Sequence, residues 1–538
     1  MTLAEYEAIY PPRELPPGAE VTRVAPSPTG RPHIGTALQA LIDRAIAQRT
    51  GGIFILRIED TDQKRLDPLA LKEILEALEW LGLRPDEGPG IGGAYGPYVQ
   101  SERLPLYRAA AEWLVEHGFA YYCFCSAERL EALRKEQVAA GQTPMYDRHC
   151  QSLAPSQARQ RKEAGEPCVV RLRVPPGRVI SFTDPLRGEI SFQSDLIDDQ
   201  VLLKSDGFPT YHLAVVVDDH FMRVTTVVRG EEWISSTPKH LLLYEYFGWQ
   251  APQLVHTPLL RDSSRRKLSK RAGDTSIEWF RSQGYLPEGL RNFLSRIIWA
   301  HPQEKDIYSF SEFASLFRIE DMSRAGPVVD RDLLEHINSQ YLRELSPEEF
   351  YQELLGYVER LAARGEPVAI EVVGKEEQAV TVLSAEELRR WQAALARDPA
   401  YSKRVLQVER ERFRKLADVL LQYGFFFAEL FQVPEPALLA KHLGSGELAA
   451  RLLQEYGRRY DHGATQEEWE AMVRGLAEEA GVKARALFMT IRVALTGAER
   501  TPPLYEIQQV LGEQEVRRRV ASAIEALLAE TLPEENKA

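Results

Sequence analysis

The chain has 538 residues, 44% apolar and 27% charged, with 66 Lys and Arg against 79 Asp and Glu for a net charge of −13. That length suggests three or four domains, and the composition excludes collagen-like, coiled-coil and wholly disordered chains. The acidic balance excludes a protein that only coats nucleic acid, but leaves room for a local basic face. No apolar run nears the roughly 20 residues of a membrane span. The opening MTLAEYEAIYPPRELPPG has neither the basic flank nor the apolar stretch of a signal peptide. Four cysteines are too few for a disulfide scaffold, so a reducing cytoplasm is the expected compartment and no membrane is expected as a partner.

In chain order, VTRVA (21–25) predicts a strand running into a Pro/Ser/Gly turn, and a helix is expected from near His33 to Gly51-Gly52. IFILRIED (53–60) predicts a second strand. Asp67-Pro68 reads as the cap and first turn of a helix that ends before Gly82. VVRLRV (169–174), HLAVVVDD (212–219) and VTTVVRGEE (224–232) predict further strands. Strands alternating with helices imply βαβ units and a parallel sheet up to about Trp299. After about Asp330 the texture turns helical. Ser346-Pro347-Glu348-Glu349 predicts a capping box, followed by Phe350, Leu354, Val358 and Leu361 at helical spacing and a terminator at Gly365. Ser384…Glu387 and Thr465…Glu468 are two more such starts. VAIEVVGKEEQAVTVL (368–383) is strand-like within this helical region.

Two segments carry phosphate chemistry. In Arg23-Val24-Ala25-Pro26-Ser27-Pro28-Thr29-Gly30-Arg31-Pro32-His33-Ile34-Gly35 a strand, a rigid turn and a helix N-terminus follow one another. Free N–H groups and the helix dipole make such an N-terminus an anion site. Gly35 would let a base or ribose approach the backbone closely, and His33 can donate to phosphate oxygens. In the second segment, Arg261 to Arg271, six cations stand among eleven residues with one acid. Lys267 and Lys270, three apart, can clasp one pyrophosphate.

Together these segments resemble the paired HIGH and KMSKS signatures of class I aminoacyl-tRNA synthetases, here His33-Ile34-Gly35-Thr36 and Lys267-Leu268-Ser269-Lys270-Arg271. With LRIEDTD (56–62), DGFPTYHLA (206–214), VVDDH (216–220) and VVRGEEW (227–233), the chain is similar to the bacterial glutamyl-tRNA synthetases; LTG (495–497) and TPPLYEI (501–507) extend the resemblance to the last helical region. The resemblance implies an α/β fold: a class I Rossmann-type catalytic domain with an inserted acceptor-binding domain, followed by all-helical C-terminal anticodon-binding domains. The expected segments are a catalytic domain in two halves, 21–120 and 206–285, the acceptor-binding insertion 121–205, a stem-contact helical domain 286–343 and the anticodon-binding region 344–538.

The implied activity is ATP-dependent ligation of L-glutamate to the 3′ end of tRNA-Glu through glutamyl-adenylate, by a monomer. His33, Lys267 and Lys270 would act catalytically on the phosphates. Arg23, Ala25, Ser27, Glu59, Tyr211 and Arg229 would bind glutamate. His33, Gly35, Glu232, Leu260 and Lys270 would bind ATP, with Mg²⁺ accompanying it. Arginine suits the glutamate side chain because its planar fork meets a carboxylate bidentately. Arg410 and Arg412, in a basic segment expected to be helical over 397–415, would read the anticodon by stacking and base-edge hydrogen bonds.

Cys123-Phe124-Cys125 precedes Tyr146-Asp147-Arg148-His149-Cys150, which suggests a zinc knuckle with Tyr146 or His149 as fourth ligand. The family's C-x-H ends here in Ser152 instead. Buried reduced thiols packing as small hydrophobes are the alternative, and Cys168 is expected to be core.

Four other readings compete. A glutaminyl enzyme would carry a β-rich C-terminal half, and a truncated tRNA-base glutamylating paralogue would lack that half. A non-catalytic tRNA-binding protein would not need His33 and the glutamate pocket. A small-molecule nucleotidyltransferase would not need the helical region.

Overall fold

The computed structural model describes residues 1–262, 264–266, 268, 275–372 and 379–530. They form two compact units, Met1–Trp279 with Pro287–Leu334, and Phe280–Leu286 with Glu335–Ala538. No helix among the described residues is long and apolar enough to cross a membrane.

In the first unit the strand Val21–Val24 pairs in parallel with Ile53–Leu56, and the helix Ile34–Thr50 connects them. This helix runs where the sequence predicts it, from its cap at His33 to Gly51, whose φ of 67° ends it in the left-handed conformation. A second parallel pair, Thr226–Gly230 with Gln253–Thr257, lies beside the first. The Val21 amide donates to the Thr225 hydroxyl at 2.8 Å, and the Thr225 amide to the Val21 carbonyl at 2.9 Å. Val21–Val24 and Thr226–Gly230 are buried throughout, as strands covered on both faces must be.

Several predicted elements differ. HLAVVVDD is no strand but the middle of the helix Tyr211–Phe221. Leu213 to Asp219 are all buried, so the apolar run reflects a helix covered all round, which periodicity cannot separate from a buried strand. VVRLRV contributes Val169–Leu172 to an antiparallel sheet with Ala120–Cys123 and Val201–Leu203, not to a parallel one. The second predicted strand stops at Leu56, and the last becomes a 3₁₀ turn from Glu231. The helix expected after Asp67-Pro68 starts only at Ala70, with Asp67 Oδ1 accepting from the Leu69 amide at 2.9 Å.

In the second unit all three predicted capping boxes form, at Ser346/Glu349, Ser384/Glu387 and Thr465/Glu468. Phe350, Leu354, Val358 and Leu361 are buried in one core, and Gly365 has a φ of 68°. The strand-like stretch is an antiparallel pair, Val368–Val372 with Ala379–Leu383. The Gln283 side-chain amide joins it to the preceding segment of the same unit, donating to the Ala369 carbonyl at 2.9 Å and accepting from the Glu371 amide at 2.8 Å. The segment 397–415 is not one helix: Pro399–Val405 forms a short one, and Arg410–Arg412 is a 3₁₀ turn. Glu409, at φ 41°, breaks the path between them.

Candidate active site

A cavity of about 650 Å³ lies at the C-terminal ends of the two parallel strand pairs, the usual ligand position in open α/β sheets. Ser27, His33, Gly35, Glu232 and Leu260 line it, with Trp233 and Thr257. His33 caps the helix behind it: Nδ1 accepts from the Gly35 amide at 2.9 Å. A Cβ on residue 35 would stand 2.6 Å from the His33 ring, so the glycine makes room for this histidine. Gly230 does the same for Glu232, whose carboxylate would lie 2.0 Å from an added Cβ.

Lys267 and Lys270 lie outside the described residues. The Leu268 amide donates to the Leu260 carbonyl at 2.9 Å, and the Ile34 amide to the Thr275 carbonyl at 2.9 Å. Leu268 and Thr275 both line the cavity, as His33 does. Arg31 and Arg65 also line it, two cations that no motif had singled out.

Next to the cavity is a buried polar cluster. Arg23 and Arg229 are only 3% and 5% exposed. Arg23 Nε lies 3.1 Å from Asp219 Oδ1, and the fully buried Arg57 reaches the same oxygen at 2.6 Å and Glu59 at 3.0 Å. Arg229 Nη1 lies 3.4 Å from the Tyr211 hydroxyl. Burial pushes Tyr211 upward in pKa, against the pull of Arg229 and Arg23. Burial likewise raises Glu59, though Arg57 and Arg23 oppose it, whereas the two arginines overcome burial and hold Asp219 low. Ala25 is half-buried just past the strand that carries Arg23, and Ser27 is exposed toward the cavity.

Arg57, Asp218 and Asp219 belong to this cluster, and no sequence motif singles them out. Asp218 is held by Arg103 Nε at 2.7 Å, by the Gln100 side-chain amide at 2.9 Å and by the Tyr107 hydroxyl at 2.8 Å. Two adjacent acids closing an apolar run were the available signal. The misread helix concealed that they share its last turn.

Elsewhere, the ligand atoms of Cys123, Cys125 and Cys150 lie within 4.8 Å of one another. The Tyr146 hydroxyl stands 3.3 Å from both Cys123 Sγ and Cys125 Sγ. His149 is exposed, whereas Tyr146 is buried against the thiols. Cys168 is half-buried against the core of the first unit. In the second unit, Arg410 Nη2 donates to the carbonyls of Leu342 and Leu345, with its guanidinium 5.0 Å above the Phe350 ring. Arg412 is half-exposed beside Glu409.

The model of tRNA synthetases class I (E and Q), catalytic domain, matches residues 20–336, and an anticodon binding domain matches 383–524. The chain is 57% identical over 523 residues to a glutamate–tRNA ligase of Gloeobacter violaceus, covering 97% of this chain and 99% of that one. It is 43% identical over 509 residues to one of Thermus thermophilus, covering 94% and 99%. Its structure resembles that of a glutamate tRNA ligase from Elizabethkingia meningosepticum in complex with its amino acid, with a TM-score of 0.76 at 32% identity over 94% of this chain and 99% of that one. With more than half its length matched by the catalytic-domain model, the chain belongs to the class I (E and Q) tRNA synthetases.

Proposed function

We infer that this protein ligates L-glutamate to the 3′ end of tRNA-Glu, using ATP and passing through glutamyl-adenylate. The observation that carries the reading is the convergence of Arg23, Arg229 and Tyr211 beside a cavity lined by His33, Gly35, Glu232 and Leu260. The α-carboxylate of glutamate attacks the α-phosphate of ATP and pyrophosphate leaves; a ribose hydroxyl of the terminal adenosine of tRNA then attacks the glutamyl carbonyl, losing its proton as AMP leaves. No covalent enzyme intermediate is needed, so the protein's task is positioning and electrostatic stabilisation. Nδ1 of His33 is used as an acceptor from Gly35, which assigns the ring proton to Nε2, the donor for phosphate oxygens. Lys267 and Lys270 neutralise the leaving pyrophosphate, and Glu232 with the Leu260 backbone holds the nucleotide. Mg²⁺ accompanies ATP, held mainly by phosphate oxygens and water. Arg23, Tyr211 and Arg229 receive the glutamate side chain, while Ala25, Ser27 and Glu59 receive its α-amino end.

The division into catalytic halves 21–120 and 206–285, insertion 121–205, stem-contact segment 286–343 and anticodon region 344–538 belongs to the same proposal, as does a cytoplasmic monomer. The thiols of Cys123, Cys125 and Cys150 with the Tyr146 hydroxyl fit a structural Zn²⁺, since three sulfurs that bind as soft thiolates and one phenol oxygen surround one point. Bound there, zinc would supply folding energy to the insertion, not chemistry. Of the two candidate anticodon arginines we assign base reading to Arg412, whose half-exposed side chain pairs, among the described residues, only with the neighbouring Glu409, whereas Arg410 is engaged with backbone carbonyls.

ATP–pyrophosphate exchange with tRNA present tests the activity. Wild type should depend on glutamate rather than glutamine, and Arg229→Leu should raise the glutamate KM by about tenfold or more, with the ATP KM unmoved. Glutamate affinity that survives this substitution would overturn the assignment.

A further inference from the structure

The Arg229 guanidinium is gripped on three sides, and among the described residues none of the groups that hold it is a carboxylate. Nε donates to His256 Nε2 at 3.0 Å, Nη1 to His240 Nδ1 at 3.0 Å, and Nη2 to the Thr237 hydroxyl at 2.8 Å. A guanidinium is donor-only and stays protonated, so each ring nitrogen facing it must offer a lone pair. The network thereby assigns both tautomers. His256 carries its proton on Nδ1, 2.8 Å from Asp184 Oδ2. His240 carries its proton on Nε2, 3.1 Å from His212 Nδ1. A second proton on either imidazole would set one N–H against another. Burial and the nearby cation also depress the basicity of both rings.

Arg23 is held differently. It shares the Asp219 carboxylate with Arg57, which also pairs with Glu59 and lies 3.7 Å from Asp218, so carboxylates hold both of these cations directly. On the Arg229 side, Asp184 is reached only through the His256 imidazole.

We propose that His240 and His256 are specificity-determining positioning residues, which as neutral acceptors lock the orientation of Arg229 without cancelling its charge. Arg229 then has no carboxylate partner of its own among the described residues, and a carboxylate side chain supplies one where an amide does not. A desolvated charge left without a counter-charge is costly, and this turns the choice of holder into selectivity between glutamate and its amide. The inference rests on Arg229 receiving the glutamate side chain.

The test compares neutral and charged replacements. His240→Gln keeps a neutral acceptor, and His240→Glu brings a carboxylate onto Arg229. In exchange assays with tRNA present, His240→Glu should raise the glutamate KM by about tenfold or more and lower the glutamate-over-glutamine ratio of kcat/KM similarly, with the ATP KM unmoved. His240→Gln should keep most of that ratio. If the two variants behave alike, or His240→Glu leaves the ratio unchanged, the proposal falls. A readout that needs no variant is the ¹⁵N imidazole spectrum of wild type between pH 6 and 8. It should show neutral rings protonated at His256 Nδ1 and His240 Nε2, and an imidazolium at either position would overturn the inference even if the variants fail to fold. Should wild type not activate glutamate, or Arg229→Leu leave its KM unchanged, the active-site reading itself fails; if those hold and only the histidine results disagree, the role of the histidines fails alone.

Discussion

His33 holds the first turn of its helix with its own ring nitrogen, so one side chain serves as cap and as candidate phosphate donor. The two roles separate in magnitude. Losing an N-cap costs about 1 kcal/mol of stability, whereas losing one preorganised donor at a transition state costs roughly 10²–10³ in rate. His33→Ala should therefore lower the glutamate activation rate by that larger factor while circular dichroism and the melting midpoint change little. Near-normal adenylate formation would remove His33 from the chemistry. The neighbouring Asp219 has the opposite balance: it orients Arg23 and neutralises Arg57 in a fully buried setting, so its role is inseparable from folding.

The helix Tyr211–Phe221 places Tyr211 in its first turn and Asp218 and Asp219 near its end. Acids at a helix C-terminus oppose the macrodipole, and here Arg23, Arg57 and Arg103 from other elements offset that cost. In the first unit, the thiol cluster joins the strand Ala120–Cys123 to the 3₁₀ turn His149–Ser152. Protein purified without chelators should carry about one zinc per chain by elemental analysis, and Cys125→Ser should lose it and melt at a lower temperature. Metal-free protein with an unchanged midpoint would leave Cys123, Cys125 and Cys150 as packing residues.

At the scale of the whole molecule, buried histidines make stability depend on pH. His212 is pushed down to about 4 by burial and by the nearby Lys239 and Arg229 charges, and burial also lowers His220, His240 and His256. A lowered histidine contributes stability that is full above its unfolded value of 6.5 and is lost as pH falls toward the folded value. Asp43 and Glu59, raised by burial, act in the reverse sense. The clean readout is thus a difference: between pH 6.5 and 4, His212→Gln should take up about one proton fewer on urea unfolding than wild type. Identical pH slopes would refute the shift. In the second unit, Arg412→Ala should raise the tRNA KM and narrow the gap between cognate and anticodon-mutant tRNA, at a cost of about 1–3 kcal/mol for one base contact. Arg410→Ala should also lower the melting midpoint, because it strips the caps from the Leu342 and Leu345 carbonyls. If neither variant changes tRNA kinetics, this face does not read the anticodon. What the sequence by itself determined was carried by short-range chemistry. The helix start near His33 and its stop at Gly51, the three capping boxes, the strand-like texture of 368–383 and the grouping of Cys123, Cys125 and Cys150 depend on residues a few positions apart or on paired spacing. Only the tertiary structure decided that 211–221 is a helix, because burial on every side erases the period that tells helix from strand. It also decided how Arg229 is held: Asp184, His240 and His256 come from three separate elements, and no local pattern in a chain records which distant side chains will share one buried proton network.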